Sequence, residues 1–183
     1  ENYPVANENL INKNLENEIL IAKNIIKASR NIRLKVEIPN KQPLSSLSII
    51  TADVELQRKI RNVEQLILNE LNVKKIIFEE NVSEWIKYDC KPNYQVLGTK
   101  QGKKINELKK ELNTKSQDDV TDLIEKGFFL FHGEKISVDD LDLQLVAVNE
   151  IDNQDIVGDY LISLNTNVDN ELLEERLSRE VVS

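Results

Sequence analysis

Residues 44–79, LSSLSIITADVELQRKIRNVEQLILNELNVKKIIFE, decide the fold because they contain three elements in quick succession. Residues 44–50 and residues 75–79 each have the composition of a strand. Between them, apolar side chains recur every three or four residues from Leu56 to Leu71, which predicts a helix over residues 53–71. Asp53 is suited to cap its first turn. Strand, helix and strand together predict a protein of the α/β (α+β) class.

The residues before this stretch predict a long helix over residues 8–33. Its apolar side chains follow the helical repeat and are Ile11, Leu15, Ile19, Ala22 and Ile26. A helix with one apolar stripe needs neighbours, so we interpret it as the last helix of a helical bundle. We therefore divide the chain into residues 1–43, the bundle end with its connector, and residues 44–183, an α/β domain that can divide near residue 115.

The residues after this stretch predict further short elements. Ser116 and Asp119 have the spacing of a capping box, and Gly127 is placed to end that helix. His132 and Gly133 form the turn of a predicted hairpin. Asp169 is the predicted cap of a last helix. The other predictions are strands over residues 85–89, 141–147 and 156–164, and a helix over residues 103–112.

Composition sets limits on the function. The net charge is −8, but residues 1–115 carry 20 Lys and Arg against 15 Asp and Glu, whereas residues 116–183 carry 4 against 17. We therefore expect any nucleic-acid contact in the first 115 residues. A single cysteine excludes an internal disulfide and a multi-cysteine metal site. Without a long apolar run or a signal peptide, we expect a soluble, cytoplasmic protein. The absence of methionine indicates a fragment.

Residues 90–104, CKPNYQVLGTKQGKK, predict a basic loop. Gly98 and Gly102 make it flexible, and Lys100, Lys103 and Lys104 surround that flexible point. The spacing excludes a phosphate-binding loop of the nucleotide-hydrolysing type, which needs four residues between its glycines and Ser or Thr after its lysine. These three lysines are RNA-binding candidates, and the alternative is a connecting loop with solvated lysines.

A second set of RNA-binding candidates is Lys23, Lys27 and Arg30, which share one face of the first predicted helix. A solvated face is the alternative there. Trp85, Tyr88 and Tyr94 can stack on bases or pack in the core.

Residues able to carry out catalysis are few. His132 is the single histidine and Cys90 the single cysteine, and neither has a nucleophile signature around it. We predict no catalytic residue, metal site or cofactor in this chain.

Three stretches together resemble isoleucyl-tRNA synthetases downstream of their catalytic and editing domains. They are residues 29–33 with 41–47, residues 91–98 with 102–104, and residues 164–166 with 171–182. The resemblance implies the end of the anticodon-binding helical bundle and the C-terminal domain of the eukaryotic-like branch. It adds Arg33, Lys41 and Lys91 as RNA-binding candidates. Lys41 stands where the family often has Arg, and an ammonium group cannot form the bidentate fork of Arg.

The resemblance also implies an activity and partners for the parent enzyme. That enzyme is a class I ligase that charges isoleucine tRNA with the help of ATP and Mg²⁺. The His-Ile-Gly-His and Lys-Met-Ser-Lys-Ser segments of the family are both absent, so the catalytic centre lies elsewhere. The expected partners are isoleucine tRNA and the rest of the synthetase, and no membrane. The alternatives are a structural or partner-docking module, and a free-standing RNA-binding protein.

Overall fold

The structure, a computed structural model, describes residues 12–182, of which residues 99–101, 103 and 182 are described in their backbone only. It confirms the predicted mixed α/β class. In chain order the helices are α1 (Lys13–Lys35), α2 (Val54–Asn62), α3 (Glu64–Leu71), α4 (Tyr94–Gln101), α5 (Ile105–Thr114), α6 (Gln117–Lys126) and α7 (Asn170–Val182). The strands are β1 (Leu44–Ile50), β2 (Val73–Phe78), β3 (Ile86–Pro92), β4 (Phe128–Phe131), β5 (Glu134–Ser137), β6 (Leu141–Ala147), β7 (Gln154–Val157) and β8 (Tyr160–Leu164).

These elements form two compact units. Unit 1 consists of residues 12–82 together with 149–182, and unit 2 consists of Ser83–Val148. The division into a bundle end (residues 1–43) and an α/β domain (residues 44–183) stays a prediction. No helix in residues 12–182 is both long enough and apolar enough to cross a membrane.

Unit 1 is built on a four-stranded sheet in the order β2-β1-β8-β7. β1 and β2 are parallel, whereas β1 with β8 and β8 with β7 are antiparallel. The two central strands carry most of the buried residues, and every residue of β8 is buried. α1 packs against α2, α3, β7 and β8, and its residues Ala22, Ile25 and Ile32 enter the same apolar core as Leu47 and Ile162.

The predicted helix over residues 53–71 is wrong in one respect, because it is two helices. Asp53 caps α2 as predicted, since its Oδ1 accepts hydrogen bonds from the N–H groups of Glu55 (2.9 Å) and Leu56 (3.1 Å). The break falls at Val63, whose N–H bonds to the carbonyl of Ile60 at 3.1 Å. With this break the side chains of Ile60, Val63 and Ile67 all lie in the core.

The strand predicted over residues 156–164 is also wrong, because it is the β7–β8 hairpin. Gly158 has φ +59°, a left-handed conformation that suits glycine and lets the chain reverse. After β8 the predicted cap of the last helix is confirmed, since Asp169 Oδ1 accepts the N–H of Leu172 at 2.9 Å. The first predicted helix is α1, and residues 8–11 of that prediction lie outside the described residues.

Unit 2 consists of two antiparallel strand pairs and three helices. β3 pairs with β6, and α5 and α6 pack against β3. β4 and β5 form the predicted hairpin, in which His132 (φ +48°) and Gly133 (φ +82°) make the turn. The capping box of Ser116 with Asp119 is confirmed, and Gly127 (φ +74°) ends α6 as predicted.

The predicted loop over residues 90–104 is wrong. Residues 90–92 end β3, and Asn93 caps α4 by accepting the N–H groups of Gln95 (3.0 Å) and Val96 (3.4 Å). Gly98 therefore lies inside a helix, where its conformational freedom is not used. Only Gly102, with φ +48° and ψ −120°, adopts a conformation that needs glycine, and it does so where α4 ends.

Candidate nucleic-acid interface

Arg33 is buried at one end of unit 1, where it bonds to three backbone carbonyls. Its side chain is 1% exposed, and its guanidinium donates to the carbonyls of Pro39 (3.0 Å), Gln42 (3.0 Å) and Leu71 (2.7 Å). Burial lowers the pKa of Arg33 to about 10, so the group is still a cation at neutral pH. These bonds tie the end of α1 to the turn before β1 and to the end of α3.

Gln42 and Asn72 extend this network to α7. Gln42 Nε2 donates to the carbonyls of Pro43 (3.0 Å) and Leu172 (3.1 Å). Asn72 Nδ2 donates to the carbonyl of Lys41 at 2.9 Å, and its Oδ1 accepts a bond from Arg179 Nη1 at 2.9 Å. Asn72 has φ +53°, a left-handed conformation that Asn tolerates better than most residues. Two of the resembling stretches, residues 29–33 with 41–47 and residues 164–166 with 171–182, therefore meet here.

A basic pocket lies on the outer side of this network. Its volume is about 220 Å³. It is lined by the side chains of Lys41, Asn72, Arg176, Arg179 and Glu180. Three cations face one carboxylate, so the pocket favours an anion.

The two arginines of the pocket are held in place by carboxylates of their own helix. Arg176 Nε contacts Glu180 Oε1 at 3.2 Å, and Arg179 pairs with Glu175. Lys74 Nζ contacts the same Glu175 at 2.5 Å, and its hydrogen bond, together with both cations, lowers the pKa of that carboxyl group. Lys41 is exposed and has no ion-pair partner among the described residues. The pocket thus combines two oriented guanidinium groups with one free ammonium group.

The other predicted candidates in unit 1 lie on α1. Lys23 and Lys27 are exposed, as the solvated-face and RNA-contact interpretations both require. Arg30 is exposed too and pairs with Glu70 at 2.8 Å. Arg33 needs a correction, because it is buried and bonded to carbonyls rather than placed on the surface. The exposed candidates of unit 1 are therefore Lys23, Lys27, Arg30 and Lys41.

The remaining candidates belong to unit 2. Lys91 pairs with Asp89 at 2.6 Å, and Lys104 lies 3.9 Å from Glu134. The side chains of Lys100 and Lys103 lie outside the described residues. The structure therefore divides the nine candidates between the units.

Sequence reasoning missed Arg176 and Arg179. Both lie in the acidic part of the chain, where the charge count predicted no contact with nucleic acid. The available signal was their spacing of three residues, which puts two guanidinium groups on neighbouring positions of one helix face.

The residues considered for catalysis show no reactive arrangement. Burial, with the nearby Asp89 charge, raises the pKa of the Cys90 thiol to about 11, so the thiol is protonated at neutral pH. His132 is exposed at the hairpin turn, with its Nε2 3.5 Å from Glu107 Oε2. Within residues 12–182, no cluster of three or more His, Cys, Asp or Glu could hold a metal ion.

Comparison with known proteins identifies relatives. No protein-family model matches the sequence. Isoleucine–tRNA ligase of Clostridium tetani is 34% identical over 100% of this chain and 18% of its own length. The corresponding ligase of Clostridium acetobutylicum is 31% identical over 99% of the chain and 17% of its own length. Isoleucine–tRNA ligase 2 of Bacillus cereus is 30% identical over 100% of the chain and 18% of its own length.

These relatives confirm the resemblance to isoleucyl-tRNA synthetases along the whole chain. The chain spans less than a fifth of the length of the curated relatives it matches. It is homologous to one region of an aminoacyl-tRNA synthetase.

Proposed function

We propose that this chain, homologous to a region of isoleucyl-tRNA synthetases, is the C-terminal tRNA-binding portion of such an enzyme of the eukaryotic-like branch. It supports the ATP-dependent charging of isoleucine tRNA in the cytoplasm. The catalytic residues, ATP and Mg²⁺ belong to the rest of the synthetase, which is its partner together with the tRNA. The observation that carries this proposal is the basic pocket formed by Lys41, Arg176 and Arg179.

The chemistry of the pocket fits a phosphate of the RNA backbone. Guanidinium groups donate in a planar fork that matches two phosphate oxygens, and an ammonium group adds a point charge. Lys41 has no ion pair among the described residues, and the one carboxylate in the pocket lining, Glu180, pairs with Arg176. Binding through these groups releases counterions, so it weakens as salt rises.

Hydrogen bonds join the segments that form the pocket. Its walls come from the turn before β1, the end of α3 and α7, and the bonds of Arg33, Gln42 and Asn72 join these three segments. A site whose donors are already oriented loses less entropy when the anion binds. The exposed Lys23 and Lys27 of α1 offer further phosphate contacts on unit 1.

The test measures binding of isoleucine tRNA to the 183-residue chain at several salt concentrations. Lys41→Gln removes the free ammonium group, and we expect weaker binding and a salt slope lower by about 1. Lys75→Gln is the matched control, since Lys75 is an exposed strand lysine of the same unit without an ion pair among the described residues. Equal affinity and slope for wild type and Lys41→Gln would contradict the proposal.

A second candidate function, docking of a protein partner, is favoured by α7. Leu173, Leu177 and Val181 recur every four residues along this helix and are 43%, 59% and 86% exposed. Such a stripe normally packs against another element. Under this alternative, Leu177→Ser would weaken association with the rest of the synthetase while the affinity for tRNA stays unchanged.

A further inference from the structure

A groove of about 340 Å³ lies in unit 2 between β3 and the turn that joins α5 to α6. Apolar side chains form part of its wall, among them those of Leu112, Val120 and Val146. Polar residues in the lining include Lys87, Asn113, Lys115 and Gln117. The volume lies at the lower end of the range for small-ligand sites.

One edge of β3 borders this groove. Tyr88 donates its N–H to Gln117 Oε1 at 2.7 Å, and Gln117 Nε2 donates to the Tyr88 carbonyl at 3.1 Å. The side chain of Gln117 therefore takes the place of a neighbouring strand at this one residue. Backbone groups of a strand point alternately to its two sides, and β3 pairs with β6 without a bulge. The N–H and carbonyl of Cys90, two residues after Tyr88, thus face the same side as Gln117.

These backbone groups give the groove a donor and an acceptor side by side. No hydrogen bond from a described residue to the N–H or carbonyl of Cys90 is found on this side of β3, so both groups are available to a ligand in the groove. Asn113 is exposed and has no hydrogen-bond partner among the described residues, so its amide supplies a second donor and acceptor. A nucleobase has matching donors and acceptors on its edge and two apolar faces.

We propose that this groove binds one unpaired nucleotide of an RNA, with the base against the β3 edge and its phosphate at Lys87. The inference rests on the proposed function, because it adds a base-binding site to an RNA-binding chain. Lys87 is exposed and has no ion pair among the described residues. The one acidic side chain of the groove, Asp89, pairs with Lys91 at 2.6 Å, which reduces its repulsion of a phosphate.

The groove suits a single base better than an added peptide strand. A peptide strand would need the Tyr88 N–H and carbonyl, and both are bonded to Gln117. The α5–α6 turn also limits the length of the groove. A base needs only the groups of one residue, and Cys90 provides them.

The test is a titration of the ¹⁵N-labelled chain with single-stranded RNA heptamers of A, C or U, and with nucleoside 5′-monophosphates. We expect shifts of the backbone N–H of Cys90 and of the side-chain amide of Asn113. The monophosphates should produce the same shifts with weaker affinity, because they lack the neighbouring phosphates. Unchanged Cys90 and Asn113 signals at saturating heptamer would overturn the inference. Shifts with monophosphates but not with heptamers would overturn it too and indicate a free nucleotide as the ligand.

Variants separate this inference from the proposed function. Asn113→Ala should weaken heptamer binding about threefold to tenfold, the effect of one lost hydrogen bond. Lys87→Gln should lower the salt slope by about 0.7, and Lys75→Gln should leave both unchanged. If Lys41→Gln weakens tRNA binding but Asn113→Ala and Lys87→Gln do not, the groove inference fails and the proposed function stands. If the groove signals respond to heptamers while Lys41→Gln has no effect on tRNA binding, the groove inference holds without the basic pocket.

Discussion

Replacing Arg33 by Met should destabilise unit 1 strongly. Met has a similar length but no donor, so the carbonyls of Gln42 and Leu71 lose their partner inside the protein, whereas the Pro39 carbonyl keeps the Gln42 N–H at 2.9 Å. A hydrogen bond from a charged donor contributes about 1.5–3 kcal/mol, and the bonds to Gln42 and Leu71 are buried. Removing the desolvated cation recovers part of this, because Arg33 has no carboxylate partner among the described residues. We therefore expect a loss of about 3 kcal/mol in the free energy of unfolding.

The assay is urea unfolding of the 183-residue chain, followed by amide signals of β1 and β8 in unit 1. Arg30→Met is the matched control on the same helix, because Arg30 is exposed and its pair with Glu70 contributes about 1 kcal/mol or less. Arg33→Lys should give an intermediate loss, since an ammonium group cannot reach three carbonyls in a planar fork. Equal unfolding midpoints for Arg33→Met and Arg30→Met would refute the reasoning.

Three other perturbations test separate parts of the structure. Gln42→Ala removes the bond to the Leu172 carbonyl and should cost about 1–2 kcal/mol, visible as faster amide exchange in α7. Cys90 should ionise near pH 11 rather than 9.0, so unit 2 loses stability as the pH rises from 9 to 11, and Cys90→Ala should reduce that loss in thermal unfolding. Gly98→Ala should stabilise α4 by about 1 kcal/mol, whereas Gly102→Ala should destabilise it, because Gly98 is helical and Gly102 has φ +48°. If both glycine variants changed the free energy of unfolding in the same direction in urea, the helical conformation of Gly98 in α4 would be contradicted.

Local signals allowed much of the fold to be predicted. Asp53, Ser116 with Asp119, and Gly127 act within one helical turn, so their residue types are sufficient to place helix ends. The break at Val63 has no such signal, because no Gly or Pro lies near it. The helix changes direction there because its apolar side chains pack into the core. The loop prediction over residues 90–104 gave weight to its glycines and missed the cap at Asn93.

The candidate site was harder to predict because it joins distant residues. Lys41 and Arg179 are far apart in the sequence, and the hydrogen bonds of Asn72 bring them together. A basic residue is an RNA candidate only if it is exposed, and sequence does not show that Arg33 is buried. Its three carbonyl partners come from segments whose positions depend on the whole of unit 1.

The distribution of charge in the fold changes the electrostatic argument for RNA binding. The basic first part and the acidic last part of the chain do not form separate surfaces, because residues 149–182 supply β7, β8 and α7 to unit 1. The described residues of unit 1 carry 14 Lys and Arg against 18 Asp and Glu, and those of unit 2 carry 10 against 12. Neither unit has the net positive charge that would attract RNA over a distance. Affinity must then come from local groups such as Lys41, Arg176 and Arg179, which act at contact distance and are screened less than a diffuse field.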